Sequence, residues 1–248
     1  MNFSVAPLSF SDQIVVSMAS IPARLDGMLG VLARLLPTCD RFIVCLNGYP
    51  DIHHALLDDP KVTVVHAPSE MGPRGKFYLC DNLPGYHIIV DDDILYPRDY
   101  VPTMIQHIEK FERQAVVGAH GKRFMYRKPP SPMTFEFFNF AVEVLEYQHV
   151  HMLGTGVMAY HSDTLTISPQ QFEPGKIDDQ FAIYCQENMI PCVVVPHAAS
   201  WLADMEDVSL RGALRKNLDL RREASARIQA HEPWKLYTPT LGHDKVTL

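Results

Sequence analysis

Two hydrophobic periodicities alternate along the first 95 residues of the chain. Short continuous apolar runs, which are typical of buried strands, occur at residues 14–18, 42–46, 62–65 and 87–90. Between the first two runs, leucine and methionine recur at helical spacing, and Pro37 ends that pattern. Strands that alternate with helices predict an α/β fold with a mostly parallel central sheet flanked by helices.

The second half of the chain has a less regular pattern. It predicts a helix over residues 104–111 and strands over 115–118, 135–145 and 192–195. Residues 122–134 are rich in proline and basic side chains, which indicates an exposed loop. We therefore expect a smaller β region in this half, followed by a helical C-terminal tail.

Nothing in the sequence divides the chain into separate domains. It contains no internal repeat, low-complexity segment or linker, and 248 residues can bury a core without disulfide or metal staples. The sequence favours one domain over residues 1–248. Within it we distinguish a first half at 12–100, a second half at 101–202 and a helical tail at 203–248.

Polar side chains and glycines follow each of the four predicted strands of the first half. Ser20 and Arg24 follow the first strand, and Asn47 follows the second. A glycine-containing loop at residues 72–76 follows the third, and three aspartates at 91–93 follow the fourth. Because ligands of open α/β sheets bind beyond the carboxyl ends of the strands, this pattern predicts a binding site at that edge.

Composition and charge exclude several classes of protein. Apolar residues make up 47% and charged residues 21%, which is close to the globular average and excludes disorder or coiled coil for the whole chain. The chain has 22 Lys and Arg against 29 Asp and Glu, and its formal net charge is −7. Since nucleic-acid-binding proteins usually carry a basic footprint, we expect no nucleic-acid partner.

The cysteines and the N-terminal residues favour a reducing compartment. The five cysteines form no C-x-x-C pair, which argues against a disulfide framework or a structural zinc site. The first eleven residues lack the basic and apolar regions of a signal peptide, and no window approaches a membrane span. We therefore expect a cytoplasmic protein.

The acidic triplet Asp91, Asp92 and Asp93 is the clearest candidate for chemistry. Adjacent carboxylates repel one another, and a divalent cation would relieve that repulsion. Carboxylate oxygens suit Mg²⁺ or Mn²⁺, and Mg²⁺ is usually held by one or two carboxylates together with substrate phosphates. If the strand persists, Asp91 and Asp93 point the same way and Asp92 the opposite way. A solvated acidic turn is the alternative.

The loop at residues 72–76 brings glycines and two cations together. Its glycines allow close backbone approach, Arg74 can clamp a phosphate with two hydrogen bonds, and Lys76 acts as a point charge. The spacing of a Walker A phosphate loop is absent. An ordinary surface turn is the alternative interpretation.

Two further candidates lie in the second half. His197 ends the last predicted strand and is either a third metal ligand or a hydrogen-bonded structural histidine. Asp178 and Asp179 open a predicted helix. Their carboxylates either stabilise the positive end of the helix dipole or supply a general base for an acceptor hydroxyl.

The order of these motifs over residues 13–202 resembles that of GT-A fold glycosyltransferases of the family-2-like bacterial type. The matching motifs are V-S-M-A-S-I-P-A-R at 16–24, G-P-R-G-K at 72–76, D-D-D-I-L-Y-P at 91–97, G-T-G at 154–156, D-D at 178–179 and P-H at 196–197. The D-x-D triplet after an apolar strand is the most specific of them.

The resemblance implies a Rossmann-like fold whose first half binds a nucleotide-sugar donor, with UDP-sugars favoured. The donor contacts that it implies are Ser20, Arg24, Asn47, Arg74, Lys76, Asp91 and Asp92. The ligands that it implies for Mn²⁺ or Mg²⁺ are Asp93, Asp91 and His197. Of the acidic pair, it implies Asp179 rather than Asp178 as the base of an inverting transfer.

The implied activity is metal-dependent transfer of a sugar to a hydroxyl of a glycan or lipid-linked glycan in cell-surface polysaccharide biosynthesis. A nucleotidyltransferase on a related fold is one alternative, although its glycine-rich signature is missing after the first strand. A non-catalytic nucleotide- or sugar-binding module is the other. The intact acidic residues and His197 argue against it.

The tail has a basic segment at residues 209–229, with six Lys and Arg against two Asp and Glu. A basic amphipathic helix can lie on an anionic membrane, which predicts peripheral contact with the inner membrane face. A helix packed on the domain through its leucines is the alternative.

Overall fold

The computed structural model describes residues 12–125, 134–175, 177–205 and 218–239. The described strands are β1 (Gln13–Ser20), β2 (Arg41–Asn47), β3 (Val62–Ala67), β4 (Gly85–Val90), β5 (Ile94–Leu95), β6 (Val116–Gly118), β7 (Gly121–Met125), β8 (Thr134–Phe138), β9 (Gln148–Val150), β10 (Met152–Leu153), β11 (Val157–His161), β12 (Cys192–Val194) and β13 (Ala203–Asp204). The described α-helices are α1 (Leu25–Leu35), α2 (Tyr100–Lys110), α3 (Asp178–Glu187) and α4 (Leu218–Ala230).

A central eight-stranded sheet has the strand order β3-β2-β1-β4-β11-β6-β12-β9. The first four of these strands are parallel to one another, and β6 and β12 run in the same direction. Strands β11 and β9 are antiparallel to their neighbours. The predicted α/β class, with a mostly parallel sheet flanked by helices, is confirmed.

The connections of the sheet reverse direction beside β1. The chain moves outward from β1 through β2 to β3, and then returns to the other side of β1 as β4. Such a switch point opens a crevice at the carboxyl ends of the strands. Ser20 ends β1 at this edge, and the acidic triplet follows β4.

The central strands of the sheet are apolar on both sides, and packed helices cover both of its faces. Met28 and Leu35 of α1 and Met104 and Ile108 of α2 belong to one buried cluster. Phe181 of α3 belongs to a second cluster. The helical spacing of these side chains places them on the buried faces of their helices.

A second, three-stranded sheet has the order β10-β7-β8 and forms the predicted smaller β region. The expectation of an exposed loop over residues 122–134 is wrong for residues 122–125, which lie in β7, and for Thr134, which begins β8, while residues 126–133 lie outside the described ranges. Lys122 and Arg123 are the basic residues of this part. They are accommodated on a strand because their cations lie over aromatic rings of β8. The predicted strand over 135–145 ends at Phe138.

The tail is not helical where it begins. Ala203 and Asp204 form β13, which pairs antiparallel with β5 directly after the acidic triplet. The predicted basic helix at 209–229 is described only from Leu218 onward, as part of α4. Within the described ranges, no helix is both long enough and apolar enough to cross a membrane.

His87 gives the fold an acid-sensitive position. Its side chain is buried on β4, its ring stacks on Tyr160, and its Nε2 lies 2.9 Å from the carbonyl oxygen of Leu83. Burial lowers the pKa of His87 to about 4.

We predict that stability falls as the pH is lowered from about 6.5 to about 4, because there the unfolded chain binds a proton that folded His87 does not. The slope from this residue approaches about 1.4 kcal/mol per pH unit. Denaturant unfolding of His87→Gln, which is uncharged, should show a shallower acid loss. His54→Gln, at an exposed position, serves as the control. An equal slope in both variants would contradict the assignment.

Candidate active site

A cavity of about 550 Å³ opens at the carboxyl ends of β1, β2 and β4. The predicted site residues on its wall are Ser20, Arg24, Asn47, Lys76, Asp91, Asp92, Asp93 and Asp178. The predicted residues that do not line it are Arg74, Asp179 and His197. The structure thus brings the acidic triplet together with one member of the distant acidic pair.

Two cations of the chain itself offset part of the charge of the acidic triplet. Lys76 is buried and forms an ion pair with Asp91. Arg24 Nη1 lies 2.9 Å from Asp92 Oδ1 and 3.0 Å from Asp93 Oδ2. Neither partner is close to the triplet in sequence. Lys76 is 15 residues away from Asp91, and Arg24 is 68 residues away from Asp92. Part of the repulsion that suggested a metal is therefore already relieved.

The expected alternation of side chains across the triplet does not occur. Strand β4 ends at Val90, and the aspartates lie in the turn that follows. As a result Asp92 and Asp93 share Arg24, whereas Asp91 faces Lys76. Asp92 is buried, and burial raises the pKa of its carboxyl group while Arg24 opposes that rise.

A buried tyrosine holds the backbone of Asp91. The Tyr96 hydroxyl accepts a hydrogen bond of 2.8 Å from the Asp91 N–H and donates one to the carbonyl oxygen of Gly156. Burial raises the pKa of Tyr96 well above its ordinary range, so the hydroxyl keeps the proton that it donates. A side chain at Gly156 would collide with the Asp91 carboxylate. Neither role was predicted, although both residues lie inside the motifs of the sequence.

The glycine-containing loop lies in Ser69–Phe77, which consists of two short 3-10 turns separated by a kink at Gly72, and it presents only one of its two cations to the cavity. Asn47 Nδ2 donates to the Gly72 carbonyl oxygen at 2.9 Å and fixes the loop to the end of β2. Arg74 turns away and donates to the Phe172 carbonyl oxygen at 2.7 Å. The cavity therefore receives Lys76 but not Arg74.

Ser20 is held by a tyrosine that was not predicted. Its Oγ lies 3.0 Å from the Tyr49 hydroxyl, which also donates to the Ile21 carbonyl oxygen at 2.8 Å. Tyr49 follows β2 by two residues, so the strand-end pattern that selected Asn47 could have included it. These contacts fix the end of β1 at the cavity wall.

Asp178 lies on the cavity wall, at the first position of α3. Its Oδ1 accepts two hydrogen bonds from Thr155, at 3.0 Å from the backbone N–H and 2.7 Å from the hydroxyl. Thr155 is the buried central residue of the G-T-G motif. The carboxylate is thus held in one orientation at the cavity wall.

Asp179 has a different environment from its neighbour. It is only 2% exposed, and its Oδ2 accepts a 2.6 Å hydrogen bond from Arg227 Nε on α4. Within the described part of the chain its Oδ1 has no hydrogen-bond partner. The pair joins α3 to the C-terminal helix, and the described geometry favours Asp178 over Asp179 as the carboxylate that meets a ligand.

His197 is held by backbone groups away from the cavity wall. Its Nδ1 lies 2.7 Å from the Val195 carbonyl oxygen, and its backbone pairs with Val144. The structure therefore does not bring His197 to the acidic triplet. Its role as a metal ligand stays a prediction.

The donor set at the triplet fits a divalent cation that shares its ligands with phosphate. Within the described ranges, no three or more His, Cys, Asp or Glu side chains are arranged as a complete metal site. Asp91 and Asp93 nevertheless line the cavity with hard oxygen donors. Mg²⁺ is commonly held by one or two carboxylates, with phosphate and water completing its coordination.

Comparison with known proteins bears on the fold alone. No family profile matches this chain, and no curated protein matches it by sequence. A mycobacterial protein of known crystal structure has a TM-score of 0.50 at 14% identity, over 87% of this chain and 75% of the other. A 4-diphosphocytidyl-2C-methyl-D-erythritol synthase has a TM-score of 0.42 at 11% identity, over 83% of this chain and 99% of the other. The first likeness shows a shared fold and nothing about activity.

The contact between Arg227 and Asp179 yields a stability prediction. Arg227→Met leaves a buried carboxylate without its cation, which should lower the free energy of unfolding by about 3 kcal/mol. The control Arg98→Met removes an arginine at an exposed position and should cost less than about 0.5 kcal/mol. Chemical denaturation measures both. Replacing both partners, as in Asp179→Leu with Arg227→Met, should recover part of the loss. Equal stability of the two single variants would contradict a buried pair.

Proposed function

We propose that this protein is a glycosyltransferase that moves a sugar from a nucleotide-sugar donor to a hydroxyl acceptor. The observation that carries the proposal is the cavity at the switch point of the sheet, whose wall holds the acidic triplet, Lys76 and Asp178. Its volume of about 550 Å³ lies within the usual range of small-molecule sites. The GT-A resemblance of the motifs supports the same assignment.

The cations of the cavity suit the diphosphate of such a donor. Arg24 and Lys76 are held in place by the carboxylates of the triplet and are positioned to contact a diphosphate, whose added negative charge the proposed divalent cation would offset. Lys76 then neutralises charge that develops on the leaving diphosphate. Ser20 and Asn47 line the cavity at the ends of β1 and β2, and in this proposal they contact the nucleoside.

Asp91 and Asp93 would hold Mn²⁺ or Mg²⁺ in this proposal. When bound, the cation supplies Lewis-acid stabilisation of the leaving diphosphate. The chain's own part is to fix the two carboxylates. Tyr96 holds the Asp91 backbone, and Arg24 holds the Asp93 carboxylate.

Asp178 is the proposed general base. The resemblance had implied Asp179, but that residue is buried against Arg227, whereas Asp178 lies on the cavity wall. Thr155 binds one oxygen of Asp178, and its other oxygen can accept the proton of an acceptor hydroxyl. The hydroxyl then attacks the anomeric carbon on the face opposite the leaving diphosphate, which inverts that centre.

The test is nucleotide release from UDP-, GDP-, dTDP- and CMP-sugars with Mn²⁺, with and without oligosaccharide acceptors. We predict slow donor hydrolysis by the purified chain and faster release when an acceptor is present. Asp178→Asn should bind the donor nucleotide normally and lower transfer by about 10²- to 10⁴-fold, because the general base is lost. Asp58→Asn, at an exposed turn, is the control.

Three outcomes would contradict the proposal. Wild-type transfer by Asp178→Asn would remove that residue as the base. Pyrophosphate release from a nucleoside triphosphate and a sugar phosphate would favour the nucleotidyltransferase alternative. Nucleotide binding without any turnover would favour a binding module.

A further inference from the structure

Strand β8 exposes two aromatic rings on one face of the smaller sheet. Phe135 is 53% and Phe137 46% exposed, although large aromatic side chains are normally buried. The two residues are two positions apart on the strand and therefore share a face. Lys122, which lies opposite Phe137 on β7, places its ammonium 4.9 Å from one ring centroid and 5.9 Å from the other.

These rings continue into the candidate active site. The His120 ring meets Phe137 edge-on with 4.8 Å between the ring centroids, and it lies 5.6 Å from the Phe140 ring. His120 and Phe140 both line the cavity. We define Phe135, Phe137, His120 and Phe140 as the aromatic strip, which runs from the cavity wall out along β8.

A glycine beside the strip leaves space for its inner ring, His120. A side chain at Gly154 would approach the His120 ring to 2.9 Å, so glycine at this position leaves room for the ring. Gly154 belongs to the same G-T-G turn whose threonine holds Asp178. One turn therefore sets both the inner end of the strip and the proposed base.

We propose that the aromatic strip binds a saccharide chain, whose terminal hydroxyl it delivers to Asp178. The inference rests on the proposed function and specifies its acceptor as an oligosaccharide rather than a small alcohol. A pyranose ring has a face of C–H bonds and a rim of hydroxyls. The C–H face suits the negative face of an aromatic ring, and Lys122 can donate to the hydroxyl rim.

The geometry of the strip requires an occupant longer than one sugar. The Phe135 and Phe137 centroids are 6.5 Å apart and their planes differ by 67°. One flat ring cannot stack on both, so successive units of a chain must contact them in turn. A lipid surface, by contrast, binds to an apolar patch and does not depend on how individual rings are oriented.

The test uses the full chain and an array of defined neutral and acidic oligosaccharides of two to six units. We expect binding to at least one series to strengthen with length. Phe135→Ala and Phe137→Ala should each weaken it about tenfold. Phe137→Trp should retain binding, whereas Phe137→Leu, which is apolar but has no ring, should not. Met125→Ala, which removes an exposed side chain from the other face of the same sheet, is the matched control.

Three results would overturn the inference: binding to no oligosaccharide, equal losses in Met125→Ala and Phe137→Ala, and binding to phosphatidylglycerol vesicles that Phe137→Leu preserves. The last would assign the strip to a lipid surface. A second measurement, the rate of donor hydrolysis without acceptor, separates this inference from the proposed function.

The Phe135 and Phe137 variants should hydrolyse nucleotide sugars at the wild-type rate. A wild-type chain that binds glycans but neither binds nor hydrolyses nucleotide sugars would contradict the proposed function and leave the strip as a glycan site.

Discussion

The ion pairs between the acidic triplet and the cations Arg24 and Lys76 are the interactions on which the site depends. Three adjacent carboxylates beside a buried strand would repel one another strongly, and two cations from distant parts of the chain hold them together. The ligand binding that we propose for this cluster would compete with its internal ion pairs. An anionic ligand with its own cation can replace each internal partner with little change in net charge.

The second half of the chain supports this cluster through the G-T-G turn. Antiparallel pairing of β11 with β4 brings Gly156 against Asp91, and Tyr96 bridges the two backbones. The same turn binds Asp178 through Thr155 and borders His120 through Gly154. A single tight turn thus links the carboxylates proposed to hold the donor, the proposed base and the inner end of the aromatic strip.

The periodic elements were predictable, whereas the contacts between them were not. Continuous apolar runs define β1, β2 and β4 because those strands are largely buried on both faces, whereas β3 at the sheet edge is only partly buried. The polar residues at the strand ends locate the cavity. The partners of Asp92 and Asp179, by contrast, lie 68 and 48 residues away in sequence. No local pattern encodes them. The choice between Asp178 and Asp179, and the turning away of Arg74, depends on such long-range packing.

The most direct test of the account compares two cations of the same loop. Calorimetric titration with UDP and GDP in the presence of Mn²⁺ should show binding by the wild-type chain. Lys76→Met should weaken that binding at least about 30-fold, because it removes the buried cation that is proposed to contact the phosphate. Arg74→Met should change it less than about threefold, since Arg74 binds the Phe172 carbonyl oxygen and does not line the cavity. Equal effects of the two variants, or no nucleotide binding by the wild-type chain, would contradict the account.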